Sequence, residues 1–517
     1  MGVTRYIGVG WSLAMGTAVG WAGTPVRRRR LDLAPFAVAI AALPPERDST
    51  IGRLLAGADI ARIGQLLEAG ELTAEELALH HLARIARLDP VLNAIIELDP
   101  SALDQARASD ERRRSGAPLG PLEGIPVTVK DNIETAGPLH TTAGSMALFD
   151  HVAAADAPLV GALKRAGAVL LGKTNLSELA GAVSRVDGLS AVGGRTVNPH
   201  GARFSPGGSS SGSAAAVAAG LCVVSVGTET SGSLIAPASF DGIVAMKPSR
   251  DVGSGTGVVP LVRTQDSAGP MARTVADAAL LLRVIAAQPL EPDLADPTLD
   301  GVSVGVLRAD LLAWKSPLED TSDNAGVLAR ITDALAKAGA TFADATLPDE
   351  AAAKAFEGAL TKVVLGGVAH DTMGYLAAAG APVTTLAELH AYNLRKPRLR
   401  MPGGQLLLDL ARVFDLSREA YETAAMEARA RATAILEATF AASGADILLS
   451  LGNRHASFYA TAGFPAITVP AGLRASGMPV GATLIGRAGD DARLLRSAAA
   501  FEAATHLRPV PPEPLPA

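Results

Sequence analysis

The 517-residue sequence contains one cysteine, Cys222. A disulfide framework and a multi-cysteine zinc or iron–sulfur site are thereby excluded. Aromatic residues make up only 4% of the chain, too few for a platform that stacks bases. Charged residues reach only 19%, and the net charge is −6. Nucleic acid needs a basic face, so it is not an expected partner. Beyond the N-terminus no apolar run is long enough to form an integral membrane span. What is abundant is apolar and small: hydrophobic residues are 48% and glycines number 53. That composition excludes a mostly disordered chain and allows a large core. The length permits one very large α/β domain or about three ordinary ones.

The N-terminus departs from the rest. Tyr6 to Val26 carries no charge but is only weakly apolar, and Arg27 to Arg30 follow it. A signal peptide wants positive charge before its apolar segment. A better match is Arg27–Arg30, the apolar run Leu33–Leu43 and a cleavage site at Ala39-Ile40-Ala41, with Met15 as the true start. Asp32 and Pro35 count against it. Export through this segment competes with a cytoplasmic chain bearing an unstructured tail or a misassigned start. The expected organisation is an N-terminal extension over 1–54, one domain over 55–510 and a Pro-rich tail over 511–517.

Within the domain, Thr73 to Glu76 has capping-box spacing, with Ala78, Leu82 and Ile85 behind it at helical spacing. Asp89-Pro90 is expected to stop that helix. Short β-branched runs predict strands at 124–132, 168–172, 223–227, 302–307, 447–450, 467–470 and 480–485. Helical patterns alternate with them, as at 275–286 and 421–439. Strands alternating with helices imply an α/β sheet covered on both faces.

The most unusual segment is Ser205-Pro206-Gly207-Gly208-Ser209-Ser210-Ser211-Gly212-Ser213, running into the small residues Ala214 to Gly220. A Gly/Ser loop here opens a helix whose N-terminus offers unpaired N–H groups. A flexible linker is disfavoured by the unbroken apolar helix that follows. A phosphate-binding loop would need Gly-Lys-Ser/Thr, and no lysine is present. A nucleophile elbow, Gly-x-Ser-x-Gly, matches Gly208 to Gly212 around Ser210, but it lacks a preceding strand.

A third reading rests on several segments together. Gly207 to Ala218 resembles the signature loop of the amidase signature family. Gly227-Thr228-Glu229-Thr230-Ser231-Gly232-Ser233-Leu234-Ile235-Ala236-Pro237-Ala238 resembles its nucleophile loop. Gly124-Ile125-Pro126 to Lys130-Asp131 is similar to its lysine strand. Gly172-Lys173-Thr174-Asn175 with Glu178, Gly269 to Arg273, Ala462 to Pro470 and Leu484 to Gly486 also match, in the family's order. The wording is nearest to the peptide amidase branch. The resemblance covers about 59–490. It implies a single large domain with a mixed sheet between helices, and a Ser–cis-Ser–Lys triad without metal or organic cofactor.

By that resemblance the nucleophile falls on Ser233, the bridging serine on Ser209 and the base on Lys130. A serine hydroxyl needs a base to take its proton. A lysine can serve if burial keeps it neutral, and Lys130 ends an apolar strand. Ser209 can relay the proton, since a hydroxyl both donates and accepts. Thr230, Ser231, Gly232 and Ser233 offer consecutive backbone N–H groups as an oxyanion hole. Ser210, Glu229 and Asn175 are expected as supports, with Lys173 as scaffold. Cys222 reads as a small buried hydrophobe, and His80-His81 as surface or core filling.

Three positions depart from the commonest family wording: Ser211, Ser231 and Ile235. Ile235 stands where many members have arginine, which disfavours a charged substrate group. The expected activity is hydrolysis of a linear carboxylic amide, with esters, aryl amides and carbamates also open. The alternatives are a glutaminase-type subunit of an amidotransferase and a non-catalytic amidase-like protein. The expected partner is a small-molecule amide, bound by a monomer or homodimer. Specificity is expected in the less patterned segments 365–401 and 453–459.

Overall fold

A computed structural model describes residues 31–183, 186–347 and 350–513. Its strands, in chain order, are β1 (Ile95–Leu98), β2 (Pro126–Lys130), β3 (Val169–Thr174), β4 (Leu189–Ser190), β5 (Gly194–Arg195), β6 (Val224–Glu229) and β7 (Val244–Lys247). Then come β8 (Ser267–Ala272), β9 (Ser303–Val306), β10 (Thr341–Asp344), β11 (Ile447–Leu451), β12 (Ala466–Leu473) and β13 (Pro479–Ile485). Eleven of these form one sheet in the order β1-β3-β2-β6-β8-β7-β12-β13-β11-β9-β10, while β4 and β5 make a separate hairpin. β3, β2 and β6 run parallel, as do β11, β9 and β10; the middle is antiparallel. The expected α/β sheet is therefore mixed.

Successive strand residues point to opposite faces. Every residue of β2, β3, β6 and β13 is buried, so those strands are covered on both sides. That is why they read as β-branched runs rather than as alternating patterns. One continuous apolar core reaches from Phe36 to Phe501, and a small satellite joins Phe204, Phe240 and Met478.

Two boundaries differ from expectation. The helix after Thr73 keeps its capping box but continues through Pro90 to Leu92. Pro90 falls in the last turn, and Asn93 caps the helix in the left-handed conformation. The Asp89 carboxylate then takes the amides of Ala94 (2.7 Å) and Ile95 (2.9 Å), steering the chain into β1. The packed structure also begins upstream of residue 55. Phe36 and Ile51 are completely buried in the main core. Ala39-Ile40-Ala41 lies within a helix, Ala37–Ala42. Met15 and Arg27–Arg30 lie outside the described residues, as do 514–517 of the tail. No helix among the described residues is long and apolar enough to cross a membrane.

Candidate active site

β2 and β6 are parallel neighbours, with Val129 beside Val226. Their carboxyl ends therefore emerge together, which is where α/β sheets hold ligands. β2 ends in Lys130, and β6 runs into the 230–233 loop. The Gly/Ser segment closes the third side. Its helix, Ser211–Ala218, is buried at every residue, and Gly212 lets it approach β3. A Cβ at Gly212 would stand 2.4 Å from Ala94 O and 2.5 Å from Asn175 N and O. The Gly208–Ser209 peptide bond is cis.

Lys130 is fully buried. Its Nζ donates to Ser209 Oγ (2.7 Å), Thr228 Oγ1 (2.9 Å), Ser210 Oγ (3.0 Å) and Thr228 O (3.3 Å). Among the described residues no carboxylate forms an ion pair with it. Burial pushes its pKa down to about 7, against the opposing pull of Asp266 and Glu229. Ser210 Oγ also donates to Thr228 O (2.9 Å) and accepts from Thr228 N (3.2 Å), so it braces β6. Ser210 N donates to Ser233 O at 3.2 Å, tying the two serine loops together. An elbow built on Ser210 has no support here, because its hydroxyl is committed inside the protein.

Ser209, Thr230, Ser231 and Ser233 line a cavity of about 780 Å³. Asp187, Ala236, Phe240, Trp314, Glu357 and Arg454 are among its other walls. Glu229 lies beneath the 230–235 loop. Its Oε2 accepts from Leu234 N (2.8 Å) and Ile235 N (3.2 Å), and the Gly232 amide also faces this carboxylate. Gly232 has φ of 83°, and a Cβ there would meet Asn453 Nδ2 at 3.0 Å. Of the expected oxyanion run, Thr230, Ser231 and Ser233 line the cavity, and the Gly232 amide lies on the side of the Glu229 carboxylate.

Asn175 is scaffold. Its side chain donates to Asn93 O, Gly194 O and Thr196 Oγ1 and accepts from Ser190 Oγ, joining the β3 end to the β4–β5 hairpin. Lys173 binds the Ile133 carbonyl, Thr135 Oγ1 and Thr141 Oγ1. Cys222 is buried, its thiol pushed up to about 11. His80 and His81 are both buried, against Asp48 and Gly220 O respectively. Among the described residues, no group of three His, Cys, Asp or Glu is gathered to hold a metal ion.

Ile235 needs correction. It is fully buried at the start of the Ile235–Asp241 helix, and the cavity is lined by Ala236 instead. Its apolar side chain says nothing direct about substrate charge. The 453–458 segment does line the cavity, but 365–401 does not; the wall is built from 309–318, 345–347 and 353–364, with Leu407. Thr228, Asn132 and Asp266 were missed. Asn132 Nδ2 donates to Thr228 Oγ1 at 3.0 Å, and the polar end of the Lys130-Asp131-Asn132 run was the one available signal.

The amidase family model matches residues 76–450. A probable amidase of Arabidopsis thaliana is 35% identical over 456 residues, covering 85% of this chain and 88% of that protein. A glutamyl-tRNA(Gln) amidotransferase component from Synechococcus sp. is 33% identical over 484 residues, covering 86% and 96%. The crystal structure of native peptide amidase from Stenotrophomonas maltophilia superposes with a TM-score of 0.80 at 37% identity, covering 89% of this chain and 99% of that one.

Proposed function

Because the chain belongs to the amidase family, and is on that footing a hydrolase of amide carbon–nitrogen bonds, we propose that it cleaves linear amides through an acyl-enzyme on Ser233. The carrying observation is the 2.7 Å contact between Lys130 Nζ and Ser209 Oγ. A buried lysine with no ion pair among the described residues, bonded to a hydroxyl at the cavity edge, is a base placed beside a relay. Neutral Lys130 takes the Ser209 proton as Ser209 takes that of Ser233. Ser233 Oγ then attacks the carbonyl carbon. The developing oxyanion is met by cavity-facing amides of the 230–233 loop, each such donor contributing roughly 3–4 kcal/mol. The proton returns through Ser209 to the leaving nitrogen, and the C–N bond breaks. Water, activated along the same path, releases the acid.

A monomer or homodimer is the assembly this reading expects. The test is labelling by a fluorophosphonate probe together with hydrolysis of a simple p-nitroanilide by the purified chain. Ser233→Ala should lose both while remaining folded. Labelling that survives Ser233→Ala and disappears in Ser210→Ala would sink the scheme. Activity appearing only with an added partner protein would favour the amidotransferase-type reading.

A further inference from the structure

β6 and β8 are antiparallel, with Glu229 opposite Ser267. One step further along this register, Thr230 meets Asp266. The Thr230 hydroxyl donates to Asp266 Oδ1 at 2.5 Å. The other carboxylate oxygen accepts the amides of Leu261 (2.9 Å) and Val262 (3.0 Å). Thr230 and Leu261 both line the cavity. One carboxylate therefore fastens two cavity walls, and the scheme above gives it no task.

The titratable groups facing Asp266 are Lys130 at the end of β2, Asp371 in the 368–372 segment and Tyr421 on the Arg418–Ser443 helix, with Glu229 also acting on Lys130. Asp371 is itself held by Arg263 N (2.9 Å) and Tyr421 Oη (2.5 Å). Asp266 is pushed up to about 7, mainly by burial and also by the neighbouring Asp371 charge. Its own negative charge in turn makes Lys130 hold its proton more tightly.

We propose that Asp266 is a positioning residue for amide cleavage: by accepting from the Thr230 hydroxyl and from the Leu261 and Val262 amides, it holds the 230–233 loop against the facing cavity wall. The proposal rests on the function assigned above. Thr230→Val removes the hydroxyl at nearly unchanged size, so kcat should fall while KM holds. Thr230→Ser restores the hydroxyl and should restore kcat. A purely structural role would lower the folded fraction and leave kcat per folded molecule unchanged.

The experiment measures kcat and KM of the full-length protein on an amide, with the folded fraction followed by circular dichroism. In Thr230→Val, kcat should drop about tenfold or more with KM little altered, and it should recover in Thr230→Ser. Asp266→Asn should lower kcat likewise. Wild-type kcat in Thr230→Val overturns the positioning role, and that variant decides the matter should Asp266→Asn fail to fold. Fluorophosphonate labelling keeps the two readings apart: labelling that no longer depends on Ser233 counts against the Ser233 scheme, whereas Ser233-dependent labelling with wild-type kcat in Thr230→Val counts against Asp266 alone.

Discussion

Burying a lysine takes its charge out of water, so the neutral form gains. This fold does so three times. Lys173 and Lys247 are as buried as Lys130, and each is pushed down to about 8. A lowered pKa alone therefore does not select the base. The partners do: Lys247 donates to the carbonyls of Pro248 and Phe464, and Lys173 to a carbonyl and two threonines away from the cavity. Only Lys130 of these three donates to a serine on the cavity wall. Its protonated form is inactive as a base, so amide hydrolysis should rise as pH passes upward through about 7. Lys130→Ala should flatten that limb and reduce amide turnover more than ester turnover, because an alkoxide leaves with less need of a returned proton. Matched pH profiles on an amide and its ester measure this, and equal losses on both would remove the proton-return role. At this scale Lys130, Ser209 and Ser233 were singled out by the resemblance of their segments to the amidase signature family, not by any local pattern of their own. The place of the Gly232 amide beside Glu229 was not legible, because it depends on where that carboxylate ends up.

At the scale of elements, the β-branched runs announced their strands, since both faces of those strands are covered and nothing polar interrupts them. Strand order was not legible. It decides that Thr230 meets Asp266, and no local pattern encodes a partner nearly forty positions away. The cavity walls from 309–318 and 353–364 were equally hidden, because an ordinary amphipathic helix looks the same whether it faces core or cavity. The Ser211–Ala218 helix is different: its small residues predict close approach, and the structure shows where. Gly212→Ala would drive a methyl into Ala94 O and the Asn175 backbone, neither of which is a flexible side-chain end. The expected loss is about 1–3 kcal/mol or more, visible as a fall in Tm together with lost activity, since Asn175 and Ser209 hang on the same contact. Wild-type Tm and activity in Gly212→Ala would show that the helix can shift freely. The next helix offers a specificity test. Ala236→Leu should change the order of preference across a panel of amides, because Ala236 lines the cavity. Ile235→Val should leave that order alone and cost only about 0.5–1.5 kcal/mol of stability. The reverse result would restore Ile235 as a substrate contact.

At the scale of the whole molecule, the core does not respect the composition shift in the sequence. The arginine run and the weakly apolar stretch before it made everything up to residue 54 read as an appendage. Yet Phe36 and Ile51 are buried in the same core as the sheet. Arg47 reaches the Ala74–Leu92 helix, pairing with both oxygens of Glu76 (2.7 and 2.6 Å) and with Glu71 O (2.8 Å). His80 on that helix meets Asp48 at 2.6 Å. Phe36 sits in the apolar run Leu33–Leu43, which read as part of a leader, and Ile51 stands alone in a polar stretch, which is why sequence pattern left both out of the domain. A chain cut after Leu55 would lose both anchors. Full burial of each contributes roughly 1.5–3 kcal/mol. The half-exposed Arg47–Glu76 pair adds at most about 1 kcal/mol, because solvent screens it. The sum is on the order of 3–7 kcal/mol, with the helix Ala74–Leu92 losing cover on one side. None of the described residues among those removed lines the cavity. The truncated protein should therefore melt well below the full chain while the fraction still folded keeps its kcat/KM and its fluorophosphonate labelling rate. Calorimetry of the two chains, with activity measured well below both transitions, decides it. An unchanged Tm would mean that these helices only rest on the surface, and a lost activity in the folded fraction would mean that they shape the cavity from behind.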